Sequence, residues 1–216
     1  MVQLGAPTNQ PMNIFVPFTQ VQPWTMAAML WYLPHTTFVD VSADGWDYVK
    51  YFERRWAERK TFINVEHDVL PAPGVLDSMA VCPHDWCVED YQGPPPAPPS
   101  VANCFGVVKF STKFIETVPN IWRDYRDRHE AFINSLVVPK DAKVGQGWRF
   151  LDVYLFEYMK EVPDHGFAPH HHWPLATNAR AGDAFYAPIR VTDPDGGWMR
   201  DHQLSKKTMV LSLHTL

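Results

Sequence analysis

The stretch Thr61-Phe62-Ile63-Asn64-Val65-Glu66-His67-Asp68 decides how the rest of the chain is read. Its apolar centre is short, rich in branched residues and closed by charge, which describes a buried strand with a polar end. Two runs of the same kind precede it: Ile14-Phe15-Val16, stopped by Pro17, and Thr37-Phe38-Val39-Asp40-Val41. Helical patterns separate the three. Pro23 stands where the first helical residue belongs, and residues 24–33 are apolar nearly all round and end before Pro34. After Gly45, the residues Trp46, Val49, Phe52 and Trp56 recur at helical spacing with charges between them. The order strand, helix, strand, helix, strand argues for parallel βαβ units with right-handed crossovers. All three strands then end at one edge of the sheet, where open α/β sheets bind ligands.

That edge gathers Thr19 and Gln20, Ser42 and Asp44, and Glu66-His67-Asp68. If the chain stays extended through residue 68, Glu66 and Asp68 point to the same side, because side chains alternate with period two. Two carboxylates so placed repel unless a cation such as Mg²⁺ or Mn²⁺ lies between them. The plainer alternative is a capping Asp68 beside a solvated Glu66.

Farther along, residues 75–80 read as a helix, and the region holding Trp86-Cys87 and the proline tract at 93–99 as loop. Residues 105–110 read as a buried strand, 113–118 as a short helix, and 119–147 as charged and partly helical. Residues 148–159 form a helix with Asp152 near its start, where it is either a general base or a cap. From 165 onward the pattern is loop-rich, ending in a strand-like 209–213. The run His170-His171-His172 lies in this part, and one imidazole of it could ligate a metal, touch phosphate or simply pack.

Composition narrows the class. The chain has 216 residues, 46% hydrophobic and 20% charged, enough for one domain with a real core. Aromatics reach 14% with nine Trp, which fill cores and also stack on sugars or bases. The net charge is -5 and no basic stripe is visible, which argues against tight non-specific nucleic-acid binding. Cys82, Cys87 and Cys104 are too few for a disulfide scaffold. The spacing of Cys82 and Cys87 matches no common zinc pattern, because no second ligand pair follows at ligand distance, so they read as buried thiols. No signal peptide or membrane span is apparent, and a cytoplasmic protein is expected.

Taken in order, these pieces resemble a compact glycosyltransferase of the GT-A fold, of the small bacterial or phage type. Residues 63–71 look like the strand bearing that family's acidic D-x-D motif, here degenerate with Glu66 in the first position. Residues 105–111 are similar to the strand beside the sugar pocket. Trp148-Arg149-Phe150-Leu151-Asp152 is similar to the family's W-x-x-x-D segment, and His170–His172 stands where many members carry a metal-binding His. The resemblance implies one GT-A-like α/β domain over 13–216 with a mainly parallel, Rossmann-like sheet flanked by helices. Residues 13–70 would form the nucleotide-binding half, 71–216 the loop-rich acceptor half, and 1–12 a flexible leader. It implies a UDP- or GDP-sugar donor contacted by Pro17, Phe18, Thr19, Asp40, Ser42, Asp44, Glu66, His67 and Lys109. Mn²⁺ or Mg²⁺ would be held by Asp68 with Glu66 and His170 or His172, and Asp152 would take the acceptor's proton. The acceptor stays open among hydroxymethylated phage DNA bases, a virion protein and a glycan; a phage-encoded enzyme would work in the host cytoplasm.

Two other classes compete. A carbohydrate-binding or virion-associated module would use the aromatic surface and need no metal. A non-haem iron oxygenase would need two His and a carboxylate, for which His67, or His84-Asp85 with a distal His, are candidates. Such oxygenases favour double-sheet barrels, whereas the first 70 residues alternate strand and helix.

Overall fold

In the computed structural model, which describes residues 12–19, 23–72, 74–92, 105–135, 151–162, 169–178, 184–187 and 202–205, the parallel start forms as expected. Strand β1 (Ile14–Phe18) pairs in parallel with both β2 (Thr36–Asp40) and β3 (Phe62–Val65). Pro17 is tolerated inside β1 because β3 pairs only with Ile14 and Phe15. Helix α1 (Pro23–Met29) tightens into a 3-10 turn over Leu30–His35, which contains Pro34, before β2 begins. Helix α2 (Asp47–Glu58) buries Val49, Tyr51, Phe52 and Trp56 and stops at Arg59, which takes the left-handed conformation with φ 51°.

Beyond β3 the sheet becomes mixed. The remaining strands are β4 (Val69–Leu70), β5 (Trp86–Gln92), β6 (Val107–Phe110) and β7 (His170–Asn178). The seven-stranded order is β2-β1-β3-β6-β5-β7-β4. Strand β6 runs antiparallel to both β3 and β5, β7 runs parallel to β5, and β4 antiparallel to β7. Only β6 and β4 oppose the common direction, so the sheet is mainly parallel in sense. Strands β8 (Ala184–Ala187) and β9 (His202–Ser205) form a separate antiparallel pair.

This order cannot lie flat. Four strand spacings, about 19 Å, would separate β3 from β4 in a planar sheet. The chain between Val65 and Val69 reaches about 14 Å at most. The sheet therefore curls back over the end of β3. Its register shows where: Glu89 lies opposite His172 and Tyr91 opposite Ala176, so β7 spends four residues against two of β5. Such an irregularity bends the strands locally.

Alternation along the strands splits the core in two. One face carries Phe62, Val108, Phe110, Trp86 and Val88, covered by α2, α4 (Thr112–Thr117), α5 (Ile121–Ser135) and α6 (Leu151–Glu161). The other carries Ile14, Val16, Ile63, Val65, Val107 and Cys87, with Met29 of α1 and Val75, Leu76 and Met79 of α3 (Val75–Val81). Met12, placed in the leader by the sequence reading, belongs to this second core at 5% exposure.

Two expectations are corrected. Trp86-Cys87 lies in strand β5, because β6 supplies an antiparallel partner through Trp86↔Phe110 and Cys87↔Lys109. His170–His172 opens a nine-residue strand instead of a loop. Three histidines show no apolar alternation, so the strand is specified by its partner β5 and not by its own pattern. The proline tract, residues 1–11, Cys104 and 209–213 lie outside the described residues.

Candidate functional site

The C-terminal ends of β1, β2 and β3 meet at one edge, and the curl of β5 and β7 brings β4 back above it. Here Val41 N–H donates to the Phe18 carbonyl at 2.9 Å, and Glu66 N–H to the Gly106 carbonyl at 2.8 Å. These bonds lock the ends of β2 and β3 to β1 and to the entry of β6. Pro17 is buried, Phe18 half-buried, and Thr19, Asp40, Ser42 and Asp44 are exposed at this edge.

Glu66-His67-Asp68 does not continue as extended chain. Val69 N–H donates to the Glu66 carbonyl at 3.1 Å, closing a turn through His67 and Asp68 that links β3 to β4. The two carboxylates are therefore not brought to one side by strand alternation; the turn sets their directions instead. Asp68 is buried at 8% exposure, while Glu66 and His67 are half-buried. Glu66 Oε1 accepts from the Tyr48 hydroxyl at 2.9 Å, which orients it from α2. Burial, followed by the Glu66 charge, pushes the Tyr48 hydroxyl well above its usual range, so it stays a donor. Below it, buried Asn64 accepts from the Tyr51 hydroxyl at 2.9 Å and donates to the Phe105 carbonyl at 2.9 Å. Tyr48, Tyr51 and Asn64 were not singled out in the sequence. An Asn inside an apolar strand, with Tyr at helical spacing upstream, is the signal that could have found them.

The acidic groups of the second strand end do local work. A side-chain hydrogen bond from Ser42, and then Ser42 N–H donating to Oδ1 at 2.9 Å, hold the Asp40 carboxyl below the usual range. Asp44 is lowered first by Lys50, 2.6 Å from Oδ2, and its Oδ1 accepts from Trp46 N–H at the start of α2. Lys109 stands on β6 at 4% exposure, away from this edge. Its ammonium donates to the Met79 carbonyl at 3.0 Å and to that of Cys82, capping the end of α3.

Asp152 is the second residue of α6, where its Oδ1 accepts from Val153 N–H at 2.8 Å. Burial raises its carboxyl above the usual range. For an acid raised in the fold, ionisation costs stability above the unfolded value and the cost disappears below it. Asp152→Asn is therefore expected to raise the melting temperature by about 2 °C at pH 7, under about 1 kcal/mol for a chain of this size. The gain should vanish by about pH 3.5, below the unfolded carboxyl range. Thermal melts across that range check it; an equal shift at both ends would exclude ionisation as the cause.

A second polar group lies on the α3 face. His170 and His172 of β7 face the same side as Cys87 and Glu89 of β5, set by the register Cys87↔His170 and Glu89↔His172. Among the described residues, two triads of ligand atoms lie within 4.8 Å of one another: Cys82, His84 and His170, and Cys82, Cys87 and His172. Glu66 and Asp68 are in neither. Cys82 and Cys87, which have no second ligand pair at zinc spacing in the sequence, thus gain imidazole neighbours from His84 and from β7, a strand far along the chain. Burial pushes the Cys87 thiol up to about 12. His172 is lowered to about 4, by burial first and then by His170, Lys109 and His84. Its ring is neutral at pH 7 and keeps a lone pair.

Each metal-competent region suits a different ion. The carboxylates of Glu66 and Asp68 are hard oxygen donors that fit Mg²⁺ or Mn²⁺ only if a substrate completes the shell. The thiol and imidazole group suits a softer ion. Among the described residues no helix is long and apolar enough to cross a membrane.

No protein-family model and no curated protein sequence matches the chain. Solved structures similar to it include the following two. A197 from STIV is 13% identical, with a TM-score of 0.47, covering 89% of this chain and 96% of that one. A glycosyltransferase involved in the glycosylation of the major capsid of PBCV-1 is 11% identical, with a TM-score of 0.46, covering 80% of this chain and 96% of that one.

Proposed function

We propose that this protein is a nucleotide-sugar-dependent glycosyltransferase acting at the edge where β1, β2 and β3 end. The observation that carries the reading is the Glu66–Asp68 turn. It places two carboxylates at the C-terminal edge of a parallel β2-β1-β3 unit, with Tyr48 fixing Glu66. Such an edge is where doubly wound sheets bind nucleotides.

In this reading Thr19, Asp40 and Ser42 face the nucleoside of a UDP- or GDP-sugar, with Pro17 and Phe18 as the apolar floor. Asp44 and His67 border the same edge. Asp68 and Glu66 would hold Mn²⁺ or Mg²⁺, which supplies positive charge against the leaving diphosphate. The raised carboxyl of Asp152 suits a group that accepts the acceptor's proton. Acceptors compatible with the acidic chain are a virion protein or a glycan, and a hydroxymethylated DNA base if a local groove supplies the contacts.

Calorimetric titration with UDP- and GDP-sugars, with and without Mn²⁺, tests the reading. Binding is expected to depend on Mn²⁺, and Asp68→Asn to weaken it by about tenfold or more. A melting curve of the variant separates loss of binding from loss of fold. A folded variant with undiminished Mn²⁺-dependent binding would remove Asp68 from the site, and binding of neither donor would remove the activity.

A further inference from the structure

We propose that Cys82, Cys87 and His172 bind a zinc ion, with His170 as the fourth ligand, and that this ion fastens β7 to β5 and to the end of α3. The inference does not rest on the transferase reading and concerns a different part of the fold.

Three observations carry it. The first is proximity: the ligand atoms of Cys82, Cys87 and His172 lie within 4.8 Å of one another. Tetrahedral zinc, with Zn–S about 2.3 Å and Zn–N about 2.0 Å, sets its ligand atoms a little under 4 Å apart, so small side-chain rotations close the shell.

The second is an orphaned ring nitrogen. His172 is 7% exposed, and its Nδ1 lies 2.8 Å from Ser78 Oγ on α3. Its Nε2 is buried with no hydrogen-bond partner among the described residues. A buried polar atom left without a partner costs free energy. A metal on Nε2 removes that cost, and Nδ1–H donating to Ser78 is the arrangement that fixes a ligating imidazole.

The third is composition. Toward β1 and β3 this face of the sheet buries apolar side chains, Ile14, Val16, Ile63, Val65 and Val107. At its β5–β7 end the same face carries two thiols and two imidazoles, those of Cys82, Cys87, His170 and His172. The His170 ring stands 4.9 Å from that of His172 and stacks on His84 at 4.2 Å, which holds it at the mouth of the group.

The charges balance. Two thiolates and two neutral imidazoles around Zn²⁺ are neutral as a unit, and binding releases both thiol protons to solvent. The thiol of Cys87, which now points at the His84 carbonyl at 3.6 Å, gives up that contact to the metal. The ammonium of Lys109 remains directed at the carbonyls of Met79 and Cys82.

The test uses the full chain purified without chelator. Elemental analysis is expected to find one zinc per chain. Replacing the zinc with Co²⁺ should give a thiolate-to-cobalt charge-transfer band and the visible bands of a tetrahedral site. Cys87→Ser and His172→Ala should each weaken metal binding by at least about tenfold. Should those variants fail to fold, the cobalt spectrum of the unaltered protein still decides. Sub-stoichiometric metal with no tetrahedral cobalt spectrum would overturn the proposal. So would a Cys82–Cys87 disulfide in the intact mass, or full metal content in a Cys82→Ser, Cys87→Ser double variant.

Discussion

Phe52→Ala is expected to destabilise the protein by about 3–5 kcal/mol, the range for emptying a buried aromatic site. Phe52 is fully buried and stands at the centre of the larger core. Its ring centroid lies 5.0 Å from Trp122, 5.0 Å from Tyr51, 5.1 Å from Tyr48 and 5.2 Å from Phe105. These neighbours come from α2, α5 and the entry to β6, each held by its own backbone. They cannot all relax into the vacated space, which is why the upper part of the range applies. A chain of this size loses about 2–4 °C of melting temperature per kcal/mol, so a fall of roughly 10 °C is the expected reading. Urea unfolding that placed the loss below about 1.5 kcal/mol would mean that the aromatic cluster repacks freely.

The second large effect is expected at Asn64. This side chain is fully buried and joins α2 to β6 through Tyr51 and the Phe105 carbonyl. Asn64→Leu keeps the volume but leaves both partners without their bond, at about 1–3 kcal/mol for each buried group. A loss of about 2–4 kcal/mol follows. The companion change Tyr51→Phe removes one of the orphaned groups. The double variant should therefore be more stable than the sum of the two single losses, by about 1 kcal/mol in a double-mutant cycle. Strict additivity would show that the Tyr51–Asn64 bond contributes nothing. Because Tyr48 and Glu66 sit above this bond, Asn64→Leu should also weaken whatever binds at the Glu66–Asp68 turn.

The first half of the fold was legible because it is local. Residues 14–65 alternate apolar runs with a strongly periodic helix, and proline and glycine mark the boundaries. Nothing in residues 86–92 or 170–178 carries comparable alternation. Those strands exist because β6 offers an antiparallel edge to β5, and β5 a parallel edge to β7. The site divides in the same way. The polar end of β3 could be read from one segment, but its turn could not, since period-two reasoning assumes an extended chain. The grouping of Cys87 with His172 was hidden, because sequence spacing is silent about residues joined only by sheet register.

The place of β7 in the sheet also sets a schedule. Its pairing with β5 links residues roughly 80 positions apart, and closing a loop of that length costs about 4 kcal/mol of chain entropy before any contact repays it. The βαβ start can assemble from near neighbours, whereas β7 arrives last and β4, whose pairing partner is β7, must wait for it. During synthesis the edge of β5 is thus an open template until the chain beyond residue 178 has emerged. That interval is when this protein is most exposed to pairing with another chain.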